Sequence, residues 1–124
     1  MTHEEINQLA DRFVAAVAAG DVATVTSIYA DDATIWHNFD QIDQTPSENV
    51  KTLIGLHRAL TNVRYEDIRR TIVDDGFYQQ HVLRGTARNA ELELPAALRV
   101  YVSNGRITRL EEYLDTAQVA AAMR

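Results

Sequence analysis

The chain contains no cysteine. That absence removes disulfides, thiolate chemistry and cysteine-bound metals from consideration. Proline and glycine are sparse, with two and five among 124 residues, and no internal repeat, low-complexity segment or linker can be marked out. There is no apolar run long enough to cross a bilayer. Met1-Thr2-His3-Glu4-Glu5 has neither a basic region nor an apolar core, so no signal peptide is expected and a soluble cytoplasmic protein is. Cations are in deficit: 12 Lys and Arg stand against 18 Asp and Glu, a formal net charge of −6. That balance argues against nucleic acid or an anionic membrane surface as a partner. The one basic cluster, Arg64, Arg69 and Arg70, reads as a solvated strand edge.

What remains is an ordinary globular composition, 46% hydrophobic and 24% charged, at a length that suits one domain, 1–124, with a real core. Ile6, Leu9, Ala10, Phe13, Val14 and Val17 recur at helical spacing and predict an amphipathic helix over 3–19. Thr2 with Glu5 fits a capping box, and Gly20 supplies the stop. A second helix is expected over about 22–30, burying Val22, Val25, Ile28 and Tyr29, and a polar loop over 41–44. Thr45-Pro46-Ser47-Glu48 then opens a helix to about Leu60 with the stripe Val50, Leu53, Ile54, His57 and Leu60. From Val63 the period changes to that of strands: 63–73 (with a slip near Glu66-Asp67 that reads as a bulge), 77–87, 92–102 and 106–114. Asp74-Asp75-Gly76, Arg88-Asn89-Ala90 and Ser103-Asn104-Gly105 are the turns between them. Pro95 suggests a bulge or an edge. A short C-terminal helix capped by Asp115 is expected to bury Val119 and Met123. The order predicts an α+β fold, with helices on one face of a long, mainly antiparallel sheet. Such a sheet, bent over three helices, leaves a cone with an open mouth, a favoured place for a ligand.

The segment before that third helix carries the candidate chemistry. In a strand following Asp31-Asp32, Ala33, Ile35, His37 and Phe39 share one face, while Thr34, Trp36, Asn38 and Asp40 share the other. His37 is thus a titratable ring in an otherwise oily wall. Glu112 reaches the same interior by strand parity, where a carboxylate is costly unless it is paired or takes up a proton. His81 shares its face with Phe77, Gln79 and Leu83 and can hydrogen-bond a ligand oxygen or pair with Glu112. His57 falls on the buried side or rim of its helix. No close histidine pair or other compact ligand motif is present, so no metal is expected, and no phosphate-binding glycine loop implies an organic cofactor.

The run Gly20-Asp21-Val22 through Tyr29-Ala30-Asp31-Asp32-Ala33-Thr34, followed by Trp36-His37, resembles the SnoaL-like, NTF2-like superfamily. So do Asn104-Gly105-Arg106-Ile107 and Glu112-Tyr113-Leu114-Asp115, and the element order agrees along nearly the whole chain. The resemblance implies a cone-shaped α+β barrel, usually a homodimer joined through its outer sheet face. Leu92, Tyr101 and Tyr113 are the expected outward apolar surface here. Among its branches, the ketosteroid isomerases place an oxyanion-hole Tyr where this chain has Phe13, the base Asp where it has His37, and a neutral Asp near Leu98. With both donors apolar, that activity is not expected. The epoxide hydrolases use an Asp–Arg–Asp set with a water-positioning Tyr and Asn. Glu112 lies near one of those Asp positions, His81 and Leu83 near the Arg and the other Asp. The water-positioning pair falls near Ile35 and His37, or near Trp36 and Asn38 after a one-residue slip. That set is incomplete. The cyclase branch matches best in Trp36-His37.

The resemblance together with the residues implies a SnoaL-like enzyme carrying out isomerisation, cyclisation or dehydration on an apolar, oxygen-bearing ring compound. His37, Glu112 and His81 are the catalytic candidates. Phe13, Trp36, Asn38, His57, Leu83 and Leu98 are the expected ligand-binding residues. A non-catalytic binding or dimerisation module on the same fold is the alternative, and an epoxide hydrolase variant a weaker one.

Overall fold

A computed structural model of the chain describes residues 1–88 and 90–122; Asn89 of the expected turn and Met123 of the expected helix face lie outside them. Helix α1, His3–Ala19, begins at the expected capping box: Glu5 N–H donates to Thr2 Oγ1 at 3.1 Å and Thr2 N–H to Glu5 Oε1 at 2.8 Å. It ends at Gly20, whose φ of 69° suits the residue without a Cβ. Helix α2, Val22–Ile28, is two residues shorter than its apolar pattern suggests, because Tyr29 is already extended (φ −71°, ψ 136°) and starts strand β1, Tyr29–His37. The expected polar loop over 41–44 contains a two-residue strand, β2 (Asp43–Gln44), which is too short and polar to show a period. Helix α3, Pro46–Ala59, carries the second capping box, with Thr45 and Glu48. Strands β3 (Thr61–Val73), β4 (Gly76–Ala87), β5 (Ala90–Ser103) and β6 (Arg106–Leu114) follow, then the short helix α4, Thr116–Ala122. No described helix is long and apolar enough to cross a membrane.

The six strands form one sheet in the order β2-β1-β6-β5-β4-β3. Every pairing is antiparallel except β1 with β6, which is parallel. The predicted slip in β3 is a register shift between Glu66 and Arg69, with Asp67 at φ 55°. Pro95 lies in the interior strand β5, paired to Val82 without a shift. The last β5–β6 pair is Ala96 with Leu114, so at Pro95 the strand has a neighbour on one side only and its missing N–H costs no ladder bond there. Leu92, expected outside, is buried, because it shares its parity with Leu94, Leu98 and Val100.

Two apolar clusters fill the interior. The larger joins Ile6, Phe13, Ile28 and Ile35 to Phe77, Leu98, Val100, Ile107 and Leu110, fixing α1 and α2 on the sheet. The smaller gathers Leu60, Leu83, Leu92 and Leu94 at the other end of the long strands, with Val119 of α4 against it. The helices cover one face of the sheet, and a cavity lies between the two clusters.

Candidate functional site

The cavity has a volume of about 520 Å³ and draws its wall from both clusters, including Phe13, Leu53, Leu83 and Leu98. That size is ordinary for a small-molecule pocket. Into this apolar surface project His37, Glu112, His81, Tyr29 and Tyr65.

His37 is 7% exposed, and its place follows from strand parity: Ala33, Ile35 and His37 are the buried residues of β1 beyond Tyr29. The parallel pairing sets it opposite Glu112 on β6. His37 Nε2 lies 3.2 Å from Glu112 Oε1, so in the neutral ring Nε2–H donates to the carboxylate and the lone pair is left on Nδ1. Nδ1 is buried and has no protein partner among the described residues. A buried polar atom left unpaired costs about 1–3 kcal/mol, so a ligand's polar group that reached Nδ1 would be stabilising. Phe39 covers the pair from the mouth, its ring centroid 5.3 Å from that of His37.

His81 is 3% exposed. Its Nδ1 is 2.9 Å from Gln79 Nε2, while Nε2 is buried without a protein partner among the described residues. The ring of Tyr65 meets it edge to face at 4.7 Å. Burial pushes the imidazole pKa down, and the negative charge of Glu112 opposes this only partly, so His81 is neutral at physiological pH. Burial first, and Glu112 second, push the Tyr29 and Tyr65 phenols upward, so both stay protonated. Tyr29 donates to Asn49 Oδ1 at 2.8 Å. The Tyr65 hydroxyl makes no protein hydrogen bond among the described residues.

Of the expected ligand-binding residues, Phe13, Leu83 and Leu98 line the cavity. Three other expected ligand-binding residues do not. Trp36, of the opposite parity to His37, lies on the other sheet face against Tyr113, ring centroids 5.3 Å apart. Asn38 turns its side chain to the backbone, accepting from Leu114 N–H at 3.0 Å, while its own N–H donates to Glu112 O. It is a clip between β1 and β6. His57 donates from Nε2 to Val17 O at 2.8 Å, satisfying a carbonyl of the last turn of α1. The face of α3 turned to the cavity is Asn49, Thr52, Leu53, Leu56 and Ala59, with the C-cap Leu60 beyond it, and Ile54 is exposed rather than in the stripe. Tyr65 was hidden in the sequence by the bulge that breaks β3's alternation just after it. Among the described residues no group of three or more His, Asp or Glu is placed to hold a metal ion.

A family model described as SnoaL-like domain matches residues 10–110. No curated protein sequence matches the chain. Among solved structures, an NTF2-like protein from Burkholderia xenovorans superposes with a TM-score of 0.82 at 18% identity, covering 100% of this chain and 99% of that one. PrhC from Penicillium brasilianum gives 0.86 at 10% identity, covering 99% and 88%. A hypothetical protein with a ketosteroid isomerase-like fold from Catenulispora acidiphila, in complex with trimethylamine, gives 0.80 at 16% identity over 93% and 91%. Identities this low speak for the fold alone.

Proposed function

The chain belongs to the SnoaL-like domain family, and from that premise we propose that it is a small-molecule enzyme working by proton transfer on an apolar, oxygen-bearing ring compound. The observation that carries this reading is the His37–Glu112 pair, held at 3.2 Å in an apolar cavity, with His37 Nδ1 unpartnered among the described residues. Nδ1 takes a proton from a carbon next to a carbonyl. The C–H electron pair moves into the new C=C bond, and negative charge develops on the carbonyl oxygen. Glu112 stabilises the imidazolium through Nε2–H. His81, neutral and with Nε2 unpartnered, donates to the developing enolate oxygen, a role for which low dielectric surroundings favour a fixed dipole. The imidazolium then returns its proton at another carbon, which isomerises the ring compound, or to a leaving oxygen, which dehydrates it. Phe13, Leu83 and Leu98 shape the apolar wall and exclude water. With Phe13 and Leu98 at the donor positions of the steroid isomerases, turnover of a standard unsaturated ketosteroid is expected to be slow.

The working unit proposed is a cytoplasmic homodimer joined through the outer sheet face, where Tyr78 and Tyr113 are each about half exposed. Incubation with cyclic ketones and enones, 2-tetralone among them, in deuterated water tests the chemistry. Catalysed incorporation of deuterium beside the carbonyl is expected. Ligands that bind in the cavity and never exchange would instead mark a non-catalytic binding module.

A further inference from the structure

Behind His81 runs a chain of side chains that proton transfer at His37 does not use. Arg70 on β3 is largely buried and donates from Nη1 to Asn7 Oδ1 at 2.8 Å and to Asp11 Oδ1 at 2.7 Å, both on α1. Its Nε donates to Gln79 Oε1 at 2.9 Å. Gln79, on β4 and 1% exposed, completes the chain at His81 Nδ1, 2.9 Å from its Nε2.

The chemistry of the donors fixes the direction of every bond. A guanidinium has only N–H groups and no acceptor. Gln79 must therefore turn its carbonyl oxygen to Arg70, which leaves its NH₂ facing His81. An NH₂ group is only a donor here, so His81 Nδ1 must be the acceptor. A proton on Nδ1 would set two donors against each other. The neutral ring then carries its hydrogen on Nε2, the atom without a protein partner.

We propose that Arg70 and Gln79 are positioning residues that lock His81 in its Nε2–H tautomer, making it a fixed neutral donor to an acceptor oxygen of the ligand. The ligand class follows: a compound that presents a carbonyl, or an oxygen that gains negative charge, rather than a donor group or a cation. The use of the donor rests on the acid–base reading above; the tautomer does not.

Nitrogen-15 spectra of histidine-labelled full-length protein test this directly. At about pH 7, where a free imidazole exchanges between forms, His81 is expected to show a protonated-type shift at Nε2 and an unprotonated-type shift at Nδ1. Binding of 2-tetralone or another cyclic ketone should move the Nε2–H resonance. Gln79→Glu places an acceptor at Nδ1 and should transfer a proton to that atom. Arg70→Met frees the Gln79 amide to rotate and should let the Nδ1–H form appear, and it serves if Gln79→Glu does not fold. A wild-type Nδ1–H or doubly protonated His81 would overturn the lock, as would folded variants that keep the wild-type pattern. A bound cyclic ketone that leaves Nε2–H unmoved would overturn the donor role. Exchange chemistry that fails with every carbonyl probe, while His81 keeps the expected pattern, would sink the acid–base reading and leave the lock standing.

Discussion

At the scale of single residues, two histidines with opposite surroundings divide the work. His37 has a carboxylate on one nitrogen, whereas His81 has an amide donor on one nitrogen and apolar burial around it. The second arrangement has a consequence for stability. Burial lowers the folded-state pKa of His81 below the ordinary 6.5, so between the two values the unfolded chain binds more protons, and stability falls as pH drops below about 6.5. His81→Gln should flatten that slope in urea titrations at about pH 5 and about pH 7, and an unchanged slope would place its origin elsewhere. Strand parity assigned His37, Glu112 and His81 to inward faces, and these three of the cavity's polar groups line it. Trp36 and Asn38 were drawn in by a family alignment that can slip by one residue, although parity alone separates them from His37. Tyr65 and the Arg70–Gln79 chain were not legible, because the bulge at Glu66–Arg69 obscures the period of β3 and long polar side chains carry no mark of their partners.

At the scale of elements, the parallel β1–β6 pairing is what brings His37 to Glu112. Asn38 secures its end through Leu114 N–H. Asn38→Ala should destabilise the fold by about 1–2 kcal/mol in urea unfolding, the cost of leaving that N–H unpaired. The α1–α3 contact is a second control point. A Cβ at Gly20 would stand 3.1 Å from the His57 ring, on backbone at φ 69°. Gly20→Ala should therefore cost about 1–2 kcal/mol, mainly from the left-handed backbone; no loss would mean that the turn relaxes. Capping boxes and turns announced the element order, since each depends on a few adjacent residues. Strand pairing depends on residues far apart, which is why β2 and the environment of Pro95 became visible only in the sheet.

At the scale of the whole molecule, the cavity exists because the two apolar clusters pack the two ends of the sheet and leave the middle open. The other sheet face is polar with aromatic islands: the Arg99 guanidinium lies 4.7 Å from the Tyr78 ring and 3.9 Å from that of Tyr101, and Trp36 packs on Tyr113. If the proposed dimer uses this face, Tyr113→Glu should shift light scattering from dimer toward monomer at micromolar concentration while leaving the fold intact. A wild-type protein that is monomeric under those conditions would remove the dimer from the account.

The account turns on proton transfer at His37, and the direct measurement is deuterium exchange into a bound cyclic ketone by wild type and His37→Asn, with binding measured on the same samples. Asn is a smaller neutral polar side chain, and it accepts no proton near neutral pH. The account predicts that binding persists while exchange falls by about a hundredfold or more, the scale of a positioned acid–base group. A His37→Asn variant that binds and exchanges like wild type would contradict it.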